Sequence, residues 1–292
     1  MGIADVRRTA RVLYDRKDVL WLLLWLGGIA AVGIWDVAFL NRPALRMLWS
    51  GFLNTVLISL LVIAFSLVLS WTAAVALYRL EHLKRQEPYL VVTFLLNLLR
   101  SIPQIVGILF GYIFLTTLVQ QGAVTRTPAV IAILATIITL FVFLEMVDLI
   151  RERIRYFRER DFYDAMLVCG ISEMRIINRE ILWKNSLAHI FNKLISLFGV
   201  TVFLLCSVDF IVSVGLSTDV STVNLPSTLG NLLARIDSKQ DILAIGSALT
   251  NPGYIDDLFL QHLQGISTAF LIVFTLICIY KIANGFAARY EL

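Results

Sequence analysis

Charge is scarce in this sequence. Asp, Glu, Lys and Arg make up 16% of its 292 residues, against about a quarter in an ordinary soluble domain. A water-soluble globule is therefore excluded as the main body of the chain. Histidine and cysteine are also few, three of each. His82, His189 and His262 are too scattered for a metal cluster. Cys169, Cys206 and Cys278 form no C-x-x-C pair, and the last two fall in apolar runs, where a free Cys acts as a small hydrophobe. No disulfide and no metal site is expected. The strings G-x-x-x-x-G-K-[ST], H-E-x-x-H and G-x-S-x-G are missing, so a P-loop on this chain is excluded and nothing supports an active site. Strand-like alternation is absent, which argues against a membrane β-barrel. In so apolar a chain the net charge of +4 is not a nucleic-acid signal. Where the basic residues lie matters more than their sum.

What the sequence has instead is long apolar runs. Hydrophobic residues are 59% of the chain and the mean hydropathy is +0.82. Several nearly uncharged windows of about 18 residues could cross a hydrocarbon core of ~30 Å as helices, which satisfy their own backbone there. The expected fold is an all-α polytopic membrane protein with about six transmembrane helices. Residues 1–18, with Arg7, Arg8, Arg11, Arg16 and Lys17, read as a cytoplasmic leader too charged for a signal peptide. Residues 19–50 hold a first span, about 19–40, and a short polar outer link with Asn41, Arg42, Pro43 and Arg46. Residues 51–292 form the core, beginning with a span near 52–78 and a turn over 79–90. A third helix bends at Ser101-Ile102-Pro103 and runs to about Val119. Further spans fall near 128–150, opening on the first-turn Pro128, and near 190–214 and 265–283.

With the N-terminus inside, the inner segments collect 19 basic residues and the outer ones five. That asymmetry follows the positive-inside rule. It predicts both termini and the loop 151–187 in the cytoplasm, and the segment 215–264 outside.

The cytoplasmic stretch 161–183 reads DFYDAMLVCGISEMRIINREILW. It is a helix-like run, a glycine at Gly170, a good N-cap at Ser172 with Glu173 in the first turn, and a second helix-like run. Asp164-Ala165-Met166, three residues, Gly170, nine residues and then Glu180-Ile181-Leu182-Trp183 resembles the EAA signature of ABC importer permeases. The string GISEMRIINREILWKNSLAHI is most similar to the dipeptide, oligopeptide and nickel branch. LRSIPQIVGIL (99–109), LCSVDFIVSVGL (205–216) and PSTLGNLL (226–233) resemble that branch more loosely, so the likeness covers roughly residues 50–292 in order. The departures are Asp164 for Glu, Met166 for the second Ala, Glu180 for an aliphatic residue and Trp183 for the usual proline. Without that proline the second helix is expected to run straight into the fifth span.

The resemblance implies a type I permease bundle with a coupling helix under the bilayer. It implies a bacterial inner-membrane location, a homologous second permease chain, two ATPase subunits that bind ATP and Mg, and an extracytoplasmic solute-binding protein. A short peptide is the expected cargo. A nickel chelate, oligosaccharide or polyamine on the same machinery, and a stand-alone channel or scaffold, stay open as alternatives.

The docking residues expected on this basis are Phe162, Tyr163, Ala165 and Met166 as an apolar knob, with Leu167 beside them. Asp164, Arg175 and Arg179 would set register, with Gly170 and Ser172 shaping the turn. Candidates for the translocation path are Asn54, Thr55 and Ser59, a polar stripe at helical spacing, and Asp209, a carboxylate within a span. Glu145 and Asp148 are expected to pair with the Arg151–Arg155 cluster, and Gly107-x-x-x-Gly111 to let two helices approach. Outside the membrane, short helices are expected over 229–236 and 255–263. Asp237, Asp241, Asp256 and Asp257 there would form an acidic docking face.

Overall fold

The structure is a computed structural model that describes residues 16–82, 86–215, 225–235, 243–244, 246–256 and 263–290. The leader up to residue 15, most of the helix expected over 255–263, and Asp237, Asp241 and Asp257 lie outside the described residues.

Helix α1, Lys17–Phe39, is apolar along its length and packs antiparallel to α10, Leu263–Arg289. Polar pairs pin it along that seam. Arg289 contacts Asp18 at 3.1 Å, Trp25 donates to Thr275 at 3.0 Å, and Ser267 donates to Asp36 at 2.6 Å.

Helix α2, Arg42–His82, has 41 residues. It begins earlier than expected because the Asn41 side chain accepts the Ala44 N–H at 2.9 Å, and Pro43 sits in the first turn, where no N–H is needed. The expected polar link and the boundary at residues 50 and 51 therefore fall inside one helix. At 1.5 Å per residue α2 is about 60 Å long, twice a hydrocarbon core, so it projects well beyond the apolar layer.

Helices α3, Gln86–Ser101, and α4, Gln104–Gln120, meet at 92° around Pro103. The bend is where the sequence placed it, because a proline removes a donor and restricts its predecessor. Helix α4 lies against α5, Thr127–Arg158, which opens on Pro128. A Cβ at Gly107 would collide with Phe141 and one at Gly111 with Ile137, so this glycine pair is a packing notch. Beyond α5 come α6, Asp161–Val168; the single turn α7, Glu173–Arg175; a π-helix, Ile176–Asn185; and α8, Leu187–Gly215. A short helix, α9, Leu229–Ala234, packs on α8.

Among the described residues there is no strand. Five helices are long and apolar enough to cross a membrane, six if the bent α3–α4 pair is one span. The main core lies where α2, α4, α5, the π-helix and α8 meet, around Ile138, Met146, Ile150, Ile177 and Ile181. A second cluster joins α1, the start of α2, α8, α9 and α10. The first residues of α1 and the last of α10 share one end of the bundle. Asn284 near the end of α10 faces the same cleft as Asn192 near the start of α8, which makes it the end that carries α6.

Candidate functional site

Helix α6 is eight residues long and ends as a helix with glycine at the left-handed position should. Gly170 has φ +79°, its N–H reaches Leu167 O at 2.9 Å, and the Ile171 N–H reaches Met166 O at 3.1 Å. Those two bonds turn the chain back on itself. Ser172 keeps the extended geometry of a cap, φ −62° and ψ 138°, but its side chain makes no capping bond. Only its carbonyl serves, accepting from Arg175 at 2.9 Å and Ile176 at 3.1 Å.

Tyr163 was expected to be a docking anchor, and the structure corrects this. It is 4% exposed and faces the bundle. Its hydroxyl donates to Glu173 Oε1 at 2.7 Å, the Tyr78 hydroxyl donates to the same oxygen, and the two hydroxyls lie 3.2 Å apart. The Arg158 guanidinium lies over both rings, 5.2 Å from Tyr78 and 5.9 Å from Tyr163. Glu173, expected to serve the dipole of its helix, is instead the acceptor that ties α6 to α2. Burial pushes the Tyr163 phenol above its ordinary range and the Glu173 bond adds to it, so Tyr163 is a neutral donor here.

Met166, three residues on, is half-buried against the main core with Ile171. The other face of α6 is open. Phe162, Asp164, Ala165, Leu167 and Val168 are exposed, and the Val168 side chain is 89% exposed. Arg175 and Arg179, on the turn and the π-helix that follow, are exposed and form no ion pair among the described residues. The segment therefore has a clamped inner face, Tyr163 and Met166, with Phe162 and Leu167 partly exposed at its two edges and Val168 on the open face with Asp164 and Ala165.

The π-helix that follows has ten residues, where π turns are ordinarily single. It buries Ile176, Ile177, Ile181 and Leu182, a spacing of five that matches its i→i+5 bonding. Asn178 accepts from Trp71 Nε1 at 2.9 Å, which ties the segment to α2. Trp183 is 62% exposed, and a bend at Ser186, held by Arg153 at 3.2 Å, separates the π-helix from α8. The expectation of one uninterrupted helix is met only in part, because Ser186 interrupts it.

A cleft of about 780 Å³ opens between α4, α5, α8 and α10. Its walls are mostly apolar, with Gln104, Glu145, Asn192, Ser196 and Asn284 inside. Gln104 donates to Glu145 at 3.3 Å, Lys193 pairs with Glu145 at 2.7 Å, and Asn192 Oδ1 is buried without a hydrogen-bond partner among the described residues. The expected pairing of Glu145 and Asp148 with nearby arginines is thus corrected. Lys193 from α8 and Arg100 from α3, the latter 2.8 Å from Asp148, approach across the bundle instead.

None of the residues expected on the path lines this cleft. Asn54 donates to Ser227 O at 2.8 Å, Thr55 accepts the Leu229 N–H at 3.0 Å, and Asp209 accepts from Thr228. Three of the four candidates thus converge on residues 227–229 and hold α9 in place. Ser59, fully buried, donates only to Thr55 O at 2.8 Å. Sequence reasoning missed Gln104, Asn192, Ser196 and Asn284. The available signal was Asn192 and Ser196, two polar residues one turn apart in an apolar span.

No protein-family model matches the chain, and no curated protein matches it.

Proposed function

We infer that the chain is the permease subunit of an ATP-driven importer, working as one half of a membrane dimer. The single observation that carries this reading is α6. The stretch whose order of residues resembles a coupling signature is a short helix with a buried clamp on one side and an apolar tip, Val168, presented to solvent on the other. An exposed apolar knob, followed along the chain by exposed arginines that form no ion pair among the described residues, suits a groove on a soluble partner. In this reading the partner binds ATP and Mg, and this chain catalyses nothing.

The mechanism follows the contacts. Movement of the partner displaces Phe162, Leu167 and Val168. Tyr163 and Glu173 pass the displacement to Tyr78 on α2, and Asn178 passes it to Trp71 on the same helix. The π-helix passes it to α8, which forms one wall of the cleft. The cleft then alternates between the two sides of the bacterial inner membrane. Its amides, Gln104, Asn192 and Asn284, suit the backbone of a short peptide delivered by an extracytoplasmic binding protein. Phe203 and Tyr280, exposed at its mouth, would face the second permease chain.

The test is co-purification of the tagged chain from its native membrane. An ATPase and a second permease in the eluate support the reading. A chain that comes down alone, or a complex whose ATP hydrolysis ignores changes in α6, refutes it.

A further inference from the structure

At the α6 end of α5, Arg151, Arg155 and Arg158 line a pocket of about 250 Å³ with Tyr78, Ile154, Glu81 and Glu159. The spacing i, i+4, i+7 puts the three guanidinium groups on one face of the helix. None of them forms an ion pair among the described residues. Arg151 reaches only the Tyr89 hydroxyl, at 3.5 Å, and Arg158 covers the Tyr78 and Tyr163 rings. Three like charges gathered around a cavity repel one another unless an anion sits among them.

The depth of the pocket indicates which anion. The apolar part of α5 ends at Ile150, and Arg151 to Arg158 climb about 10 Å beyond it at 1.5 Å per residue. A headgroup layer adds roughly 5–8 Å to each side of the hydrocarbon core. The pocket therefore begins at the level of lipid phosphates.

We propose that this pocket binds the phosphodiester of an anionic phospholipid, held by Arg151 and Arg155 with the Arg158 guanidinium above it. Guanidinium forks match phosphate oxygens in pairs. The site requires only that the bundle sits in a bilayer and is independent of what α6 docks to. Because Arg158 also covers Tyr163, an occupied pocket would brace the base of α6.

The test is native mass spectrometry of the purified full chain, with any subunits that accompany it, after exchange into detergent with phosphatidylglycerol, phosphatidylcholine or inorganic phosphate. Phosphatidylglycerol should be retained in preference to phosphatidylcholine. Arg155→Gln, which removes a side chain that makes no ion pair among the described residues, should cut that retention roughly fivefold, the factor one basic residue commands at an anionic surface. Glu81→Gln should raise retention, an outcome misfolding cannot mimic. Arg126→Gln, at the opposite end of α5, should leave it unchanged. Equal retention of both lipids, or an unchanged Arg155→Gln, overturns the proposal. Displacement of the lipid by inorganic phosphate in excess overturns it too, and assigns the site to a soluble anion.

Discussion

Gly170 sets the shape of the segment on which the proposed coupling rests, and its replacement gives a graded test. A Cβ there would meet nothing within 4 Å, so any cost of substitution is backbone cost alone. At φ +79° an alanine loses about 1–2 kcal/mol, whereas asparagine visits this region more readily. Proline is far worse. Its ring fixes φ near −65°, and it has no N–H for Leu167 O. It also disfavours the helical conformation of Cys169, φ −70° and ψ 2°. A loss of about 3 kcal/mol or more is expected for the turn. Cys169 supplies the readout: of the three cysteines it alone is exposed, and it adjoins Val168. In the complex proposed above a thiol label should reach Cys169 slowly in wild type and in Gly170→Asn, faster in Gly170→Ala, and freely in Gly170→Pro. ATP hydrolysis stimulated by the binding protein should fall in the same order while membrane insertion is retained. A proline variant with wild-type stimulation and a protected Cys169 would falsify the idea that this turn positions a docking helix.

Val168→Asp should leave the chain within about 0.5 kcal/mol of its original stability, since the side chain lies in solvent. It should nevertheless lower ATPase recovery in pull-downs about thirtyfold if Val168 is a central anchor worth about 2 kcal/mol. Gly230→Ala should loosen α9 by about 1–3 kcal/mol, because its Cβ would lie 2.6 Å from Cys206 Cα and 2.8 Å from its carbonyl oxygen. Faster amide exchange over residues 229–234 would report this, and unchanged exchange would contradict the packing. Tyr163 has a folded-state pKa raised above the ordinary phenol value of 10.0. Its stabilising contribution is therefore complete below that value and lost only as pH rises through the higher folded one. Difference titration of wild type against Tyr163→Phe should show a late-ionising phenol, and coupling should have no inflection near neutral pH from this residue.

The fold was legible because its signals are local. The apolar runs, Pro103 and Pro128 each act within a turn or two of chain, and the helices begin, bend and stop close to them. Helix α2 broke the pattern because one side chain, Asn41, turned an apparent polar link into a first turn. The signature of α6 was also local, and Gly170 does what its position required. The direction its side chains take was not legible. Tyr163 points inward because Tyr78, 85 residues earlier, waits beside Glu173. Asn54 and Asp209 were rightly singled out as too polar for lipid, but polarity does not name a partner. Asn54 found a carbonyl 173 residues away, and Asp209 a hydroxyl 19 residues away.

The π-helix shows why one kind of regularity stayed hidden. A periodicity of 3.6 reads Ile176, Ile177, Ile181 and Leu182 as two pairs that drift around a helix, so the segment seems to have no single buried side. Bonding from i to i+5 brings residues five apart onto one face, and Ser186, again five beyond Ile181, is fully buried on the same series. Such a helix is wider than an α-helix and is seldom stable on local terms. What holds it here is burial of four aliphatic side chains, and the Trp71 bond to Asn178 fixes it to α2. A segment that depends on its neighbours for its conformation responds when those neighbours move. Its place between α6 and α8 therefore makes it, in the proposed coupling, the element that carries a displacement from the exposed tip of Val168 to the wall of the cleft.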